Sequence, residues 1–175
     1  MRALVVHESM FGNTEKIALA IADGLLDTFE VRLVAAHEAP TDLAVGWDLV
    51  VVGGPTHAFG MSRASTRKSA EEQGAPAGMQ HRRGIREWLA AVSGDVQLPA
   101  AAFDTKVAKP HLPGSAASKA SRRLRNLGLR LQVPPESFLV EGMSGPLLPG
   151  EVERARKWAQ DLAAEVTGRQ PTPAA

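Results

Sequence analysis

One stretch constrains the fold of this chain more than any other: Asp48-Leu49-Val50-Val51-Val52-Gly53-Gly54. Its apolar run is unbroken and mostly β-branched. It lacks the alternation of a strand that faces water on one side. Such a strand is buried on both faces, at the centre of a parallel sheet covered by helices. The rest of the pattern supplies what that sheet needs. Ala3–Val6 is a second short apolar run, broken by turn residues at Glu8–Asn13. A helix is predicted from Thr14 to about Leu26, with Ile17, Leu19, Ala20, Ile21, Leu25 and Leu26 as its apolar stripe and Gly24 as its weak point. Phe29–Val34 alternates with period two, as an edge or half-buried strand does.

Residues 60–83 show no clear period and read as a long loop. A short helix follows over Gly84–Val92, then a strand within Pro99–Val107, centred on Ala100–Phe103. Ser115 caps a helix that ends near Gly128. Leu129–Val133 is a short strand ahead of Pro134-Pro135, and Ser137–Gly142 is the last main strand. A final helix spans about Gly150 to Val166, and 167–175 is expected to be a disordered tail. The order is β-α-β, a poorly defined connection, then β-α-β-α-β-α, the signature of a parallel sheet with helices on both faces.

Length and composition narrow the chemistry. A chain of 175 residues with 44 % hydrophobic residues suits one domain with a real core. The absence of cysteine excludes disulfides, thiol nucleophiles, Cys-ligated zinc and iron–sulfur clusters, and fits a cytoplasmic protein. A net charge of +1 gives no global field for steering nucleic acid. No apolar run approaches the ~20 residues of a membrane span, and the first residues turn polar too soon for a signal peptide. Neither nucleic acid nor a membrane is therefore expected as a partner. The oligomeric state is open.

In a doubly wound sheet, ligands bind beyond the carboxyl ends of the strands, where strand order reverses. Two such ends are rich in loop chemistry. In Glu8-Ser9-Met10-Phe11-Gly12-Asn13-Thr14, the side chains of Ser9, Asn13 and Thr14 can donate hydrogen bonds. Gly12 allows a positive φ or a close backbone approach. The helix that follows presents unpaired N–H groups and the positive end of its dipole. This is an anion cradle suited to a phosphate. It contains no Lys or Arg, and neither a Walker loop nor G-x-G-x-x-G is present. At the second end, Gly53-Gly54-Pro55-Thr56-His57-Ala58-Phe59-Gly60 leaves the central strand sharply, and His57 and Phe59 offer flat faces to a planar ring.

Taken together, the two loops resemble the flavodoxin-like family. Ser9-x-x-Gly12-Asn13-Thr14 after Leu4-Val5-Val6 is similar to its FMN phosphate loop, and Lys16-Ile17-Ala18 continues the match into the helix. Asp48–Val52 followed by Gly54-Pro55-Thr56 is similar to its third strand and second flavin loop, and Phe103-Asp104-Thr105-Lys106 stands where the third loop begins. The resemblance implies an α/β fold: a flavodoxin-like, doubly wound three-layer α/β/α sandwich over residues 1–166. Its five-stranded parallel sheet would have the order 2-1-3-4-5. Flavodoxin itself is the type example of that order, with FMN at the switch between the first and third strands.

The implied cofactor is FMN. Ser9, Met10, Phe11, Gly12, Asn13 and Thr14 would hold its phosphate. Pro55, Thr56, His57, Ala58, Phe59 and Gly60 would line one side of the isoalloxazine ring, and Asp104, Thr105 and Lys106 would approach the other side or its pyrimidine edge. The chain departs from the family pattern in three ways: His7 replaces an aromatic residue, tyrosine is absent, and the surface is not acidic. The implied function is electron transfer or redox chemistry by a flavoprotein, with a redox protein or a small-molecule electron donor or acceptor as its partner. The alternatives are an NAD(P)H-dependent FMN quinone reductase and a flavin-free binding or regulatory module.

The remaining charged groups receive simpler readings. Arg63, Arg67, Lys68, Arg82, Arg83 and Arg86 are expected on a solvated, mobile loop. Lys119, Arg122, Arg123, Arg125 and Arg130 mark a solvated helix face. Glu8 would repel a phosphate unless it points away. His7, His37, His57, His81 and His111 show no metal spacing, and Ser9 lies outside any G-x-S-x-G motif. Trp47, Trp88 and Trp158 are expected in the core or at its rim.

Overall fold

The computed structural model describes residues 1–93, 97–109 and 113–168. The expected tail falls outside these beyond Gly168. Six parallel strands form one sheet: β1 (Arg2–His7), β2 (Glu30–Ala35), β3 (Leu49–Pro55), β4 (Pro99–Val107), β5 (Arg130–Leu131) and β6 (Glu136–Val140). The order is β2-β1-β3-β4-β5, with β6 also on β4. The fifth position is thus shared. β5 pairs with the start of β4, at Pro99 and Ala100, and β6 pairs with Phe103–Val107. Pro134 and Pro135 lie between the two pieces and have no N–H to give a ladder, so one continuous strand could not form there.

Strand alternation sorts the core into two layers. Leu4, Val6, Val50, Val52, Ala100 and Ala102 face Ile85, Trp88 and Leu89 of α3 (Ile85–Ala91) and Ala117, Ala120 and Leu124 of α4 (Ala116–Asn126). Ala3, Val5, Leu49, Val51, Ala101 and Phe103 face Ile17, Ile21 and Leu25 of α1 (Asn13–Leu25) and Ala155, Ala159 and Leu162 of α5 (Glu151–Thr167). Every residue of Leu49–Val52 is fully buried, as the unbroken run requires. Trp88 is core, while Trp47 and Trp158 pack partly buried at its edges. Among the described residues, no helix is long and apolar enough to cross a membrane.

Gly24 is not a weak point of α1 but a contact point. A Cβ there would fall 2.9 Å from Ala159 Cβ and closer still to the Arg156 carbonyl. Helix propensity favours Ala over Gly by about 1 kcal/mol, whereas overpacking against a backbone costs about 1–3 kcal/mol. Gly24→Ala is therefore expected to lower stability in urea unfolding. A gain in stability would mean that α1 and α5 separate freely.

The stretch expected to be a long loop contains α2 (Ala64–Glu72) and a single 3-10 turn at Met79–His81. No apolar stripe announced this helix, because its buried positions are Arg67 and Ala70. Three of the basic residues expected in solvent are internal ties instead. Arg67 is 3 % exposed and pairs with Glu87 at 3.1 Å. Arg83 donates to the carbonyls of Ala36 and Ala39, and Arg86 donates to those of Met61 and Ser62. Arg63, Lys68 and Arg82 are exposed as expected.

Candidate functional site

Three loops meet at the carboxyl ends of β1, β3 and β4. Between β1 and α1, Gly12 adopts a φ of 85° and precedes the helix without any side-chain cap. The first-turn N–H groups of α1 are left without that satisfaction. A Cβ on Gly12 would meet nothing within 4 Å, so glycine is set here by backbone conformation and not by crowding. Ser9 Oγ is buried with no hydrogen-bond partner. An orphaned hydroxyl beside an uncapped helix start is the arrangement an oxyanion would complete.

The loop is tied to its neighbours. Thr14 and Thr105 share a hydrogen bond between their hydroxyls at 2.7 Å, and Asn13 Nδ2 donates to the Gly145 carbonyl at 2.6 Å. Met10 and Phe11 do not point at the cradle. Met10 packs with Ala70, Ala75 and Met79 in a small apolar cluster, and Phe11 covers it. The expectation that they hold phosphate is thereby reduced to their backbone. Glu8 also points away. Its carboxylate accepts from Ser62 Oγ and from the Ile85 N–H at 3.0 Å, and it faces Arg67 at 3.8 Å. Burial pushes the Glu8 carboxyl above its usual range, against the pull of those three partners.

The second and third loops enclose a slot of about 120 Å³, lined by Thr56, Ala58, Phe59, Lys106, Val107, Pro113 and Gly114. Ala58 and Phe59 both have positive φ, at 43° and 67°. They form the tip of a tight turn closed by paired backbone hydrogen bonds between His57 and Gly60. Phe59 is half exposed at the slot mouth. Gly114 packs against its backbone, where a Cβ would fall 2.9 Å from Phe59 Cβ. His57 is not among the lining residues, and burial lowers its pKa, which favours the neutral imidazole. Gly60 sits beneath Lys119, whose Nζ would lie 2.6 Å from an added Cβ.

Asp104, expected to approach the ring or its pyrimidine edge, is fully buried. Its Oδ2 accepts from Thr56 Oγ1 at 2.9 Å, Ser115 Oγ at 2.5 Å and the Ala117 N–H at 2.9 Å. It positions the second loop and the start of α4. Thr105 is likewise buried and reaches Thr14, leaving Lys106 as the one of the three that lines the slot. Val107, Pro113 and Gly114 were missed by sequence reasoning. Proximity to the end of the Pro99–Val107 strand was the only signal for them.

A larger cavity of about 410 Å³ lies by the ends of β1 and β2, and Ser9 is one of its lining residues. His7, Glu8, Glu15, His37, Glu38, Arg82 and Arg83 line it, so both charge signs meet there. His7 is buried and its Nδ1 has no partner. Burial lowers its pKa, so the imidazole tends to be neutral near pH 7.

The comparisons with known proteins agree with this architecture. No curated protein matches the chain at a significant level. Among solved structures, a flavodoxin from the domain Archaea is 20 % identical with a TM-score of 0.67, covering 95 % of this chain and 99 % of that one. Oxidised flavodoxin 1 from Bacillus cereus is 16 % identical with a TM-score of 0.66, covering 97 % and 99 %. The metal-soaked Flv1 flavodiiron core from Synechocystis sp. PCC6803 is 15 % identical with a TM-score of 0.61. It is covered over only 36 % of its length, against 96 % of this chain. At these identities the likeness is one of fold. The family model described as flavodoxin matches residues 5–107, more than half of the chain and the span that carries the first two loops and the start of the third. The chain belongs to the flavodoxin family.

Proposed function

We propose that this protein binds FMN and passes electrons through it. The observation that carries the reading is the orphaned Ser9 hydroxyl beside the uncapped, glycine-led start of α1, with a small slot at the neighbouring loops. Ser9, Asn13, Thr14 and the first N–H groups of α1 would hold the phosphate. Ala58 and Phe59 would flank the ring on one side, with Lys106, Val107, Pro113 and Gly114 on the other. The bound group would supply the redox chemistry. The protein's own residues bind, orient and limit water. Thr56 is held in place by Asp104, and the Thr14–Thr105 bond couples the phosphate loop to the third loop. The slot's small volume and half-exposed Phe59 support a ring reached from solvent at one edge.

The test is reconstitution. The purified protein is mixed with FMN, freed of excess by gel filtration, and its visible spectrum recorded. Retained flavin bands at about one equivalent support the proposal. A colourless protein after reconstitution would leave the flavin-free binding module as the reading. Oxidation of NADH or NADPH by the loaded protein with a quinone present would favour the quinone-reductase alternative.

A further inference from the structure

α4 reads Ala-Ala-Ser-Lys-Ala-Ser-Arg-Arg-Leu-Arg-Asn and contains no acidic residue. Lys119, Arg122, Arg123 and Arg125 are all exposed, and none makes a salt bridge among the described residues. At 100° per residue these four share the outer side, opposite Ala116, Ala117, Ala120 and Leu124. The helix starts at the slot: the Ala116 N–H donates to Thr56 Oγ1, and Lys119 lies over Gly60. The positive face therefore runs outward from the half-exposed Phe59. An apolar anchor with a charged rim is the anatomy of a protein interface. The exposed face of α4 carries no aromatic side chain to stack on bases and no large apolar side chain to enter a bilayer.

We propose that the outer face of α4, with Ala58 and Phe59 at its slot end, docks an acidic protein. Charge complementarity would steer and orient that partner over the slot mouth. That this partner exchanges electrons rests on the flavin reading above; the docking itself does not.

The test has two arms. In the first, isotope-labelled protein is titrated with a poly-glutamate peptide at low salt and followed by amide shifts. The shifts are expected on α4 and Thr56–Gly60. The double substitution Arg122→Glu, Arg123→Glu should weaken binding about tenfold or more, and Arg122→Gln, Arg123→Gln by less. Shifts centred elsewhere, or unchanged binding by both variants, overturn the proposal. So does tighter binding of duplex DNA or phosphatidylglycerol vesicles at this face. In the second arm, FMN-loaded protein is reduced and then oxidised by ferricyanide or by hexaamminecobalt(III). The charge reversal should slow the anionic oxidant about tenfold and speed the cationic one. Equal rates would detach this face from the slot and overturn its role in electron exchange. If no flavin is retained, the flavin reading fails alone, and the peptide titration still decides docking.

Discussion

Arg67→Met is expected to destabilise the protein by about 3–5 kcal/mol at pH 7, the cost of leaving buried charge without its counter-ion. Arg67 is 3 % exposed and Glu8 is 6 % exposed. The guanidinium reaches Glu87 through both terminal nitrogens, at 3.2 and 3.1 Å, donates to Ser62 Oγ at 2.9 Å, and faces Glu8 at 3.8 Å. Methionine keeps much of the stem and removes the charge. The pH dependence follows from the two carboxylates. Burial raises the Glu8 pKa, and removing Arg67 takes away one group that holds it down. A raised folded pKa gives stability that is present at low pH and lost as pH rises through it. Burial also pushes Glu87 up, but the hydrogen bond and charge of Arg67 outweigh this and hold it below its usual value. That stability is present at neutral pH and is lost as pH falls, and the wild type has more of it to lose, because the variant keeps only the backbone hydrogen bonds to Glu87. The gap between variant and wild type should therefore narrow from pH 7 to pH 5 in urea unfolding. Adding Glu8→Gln to the variant should recover part of the loss. A gap that stays constant with pH would show that the network acts by packing and not by charge.

Gly12→Asp is expected to weaken FMN binding on the order of a hundredfold. Two unit charges of like sign about 5 Å apart, at an effective dielectric of about 20, repel by about 3 kcal/mol. The space around Gly12 is open, so an added Cβ would not block the turn; the backbone cost of a positive φ remains, about 1–2 kcal/mol. Gly12→Asn separates the two effects, since it makes the same backbone demand without the charge. Flavin fluorescence titration should rank wild type first, Asn second and Asp far behind. Equal affinity for Asp and Asn would remove the phosphate from this loop.

The sequence already held the central strand, because Leu49–Val52 is unbroken and only a doubly covered strand can bury it. It held two further strands of the sheet in the short apolar runs Ala3–Val6 and Ala100–Phe103. It also held the candidate anion-binding loop, since Ser9, Gly12, Asn13 and Thr14 lie close together in the chain and their chemistry is local. Tertiary structure decided what depended on distant partners. α2 was illegible because its buried positions are Arg67 and Ala70, and the arginine is held there by Glu8, Ser62 and Glu87. Asp104 has a positioning role that the sequence did not show, since its Oδ2 holds Thr56, Ser115 and Ala117. Gly24 looked like a helix defect until Arg156 and Ala159 of α5 were seen against it. Period and local turn chemistry are written within a few neighbouring residues. A buried charge, a positioned carboxylate and a close helix contact take their meaning from groups far away along the chain, and folding alone brings those groups together.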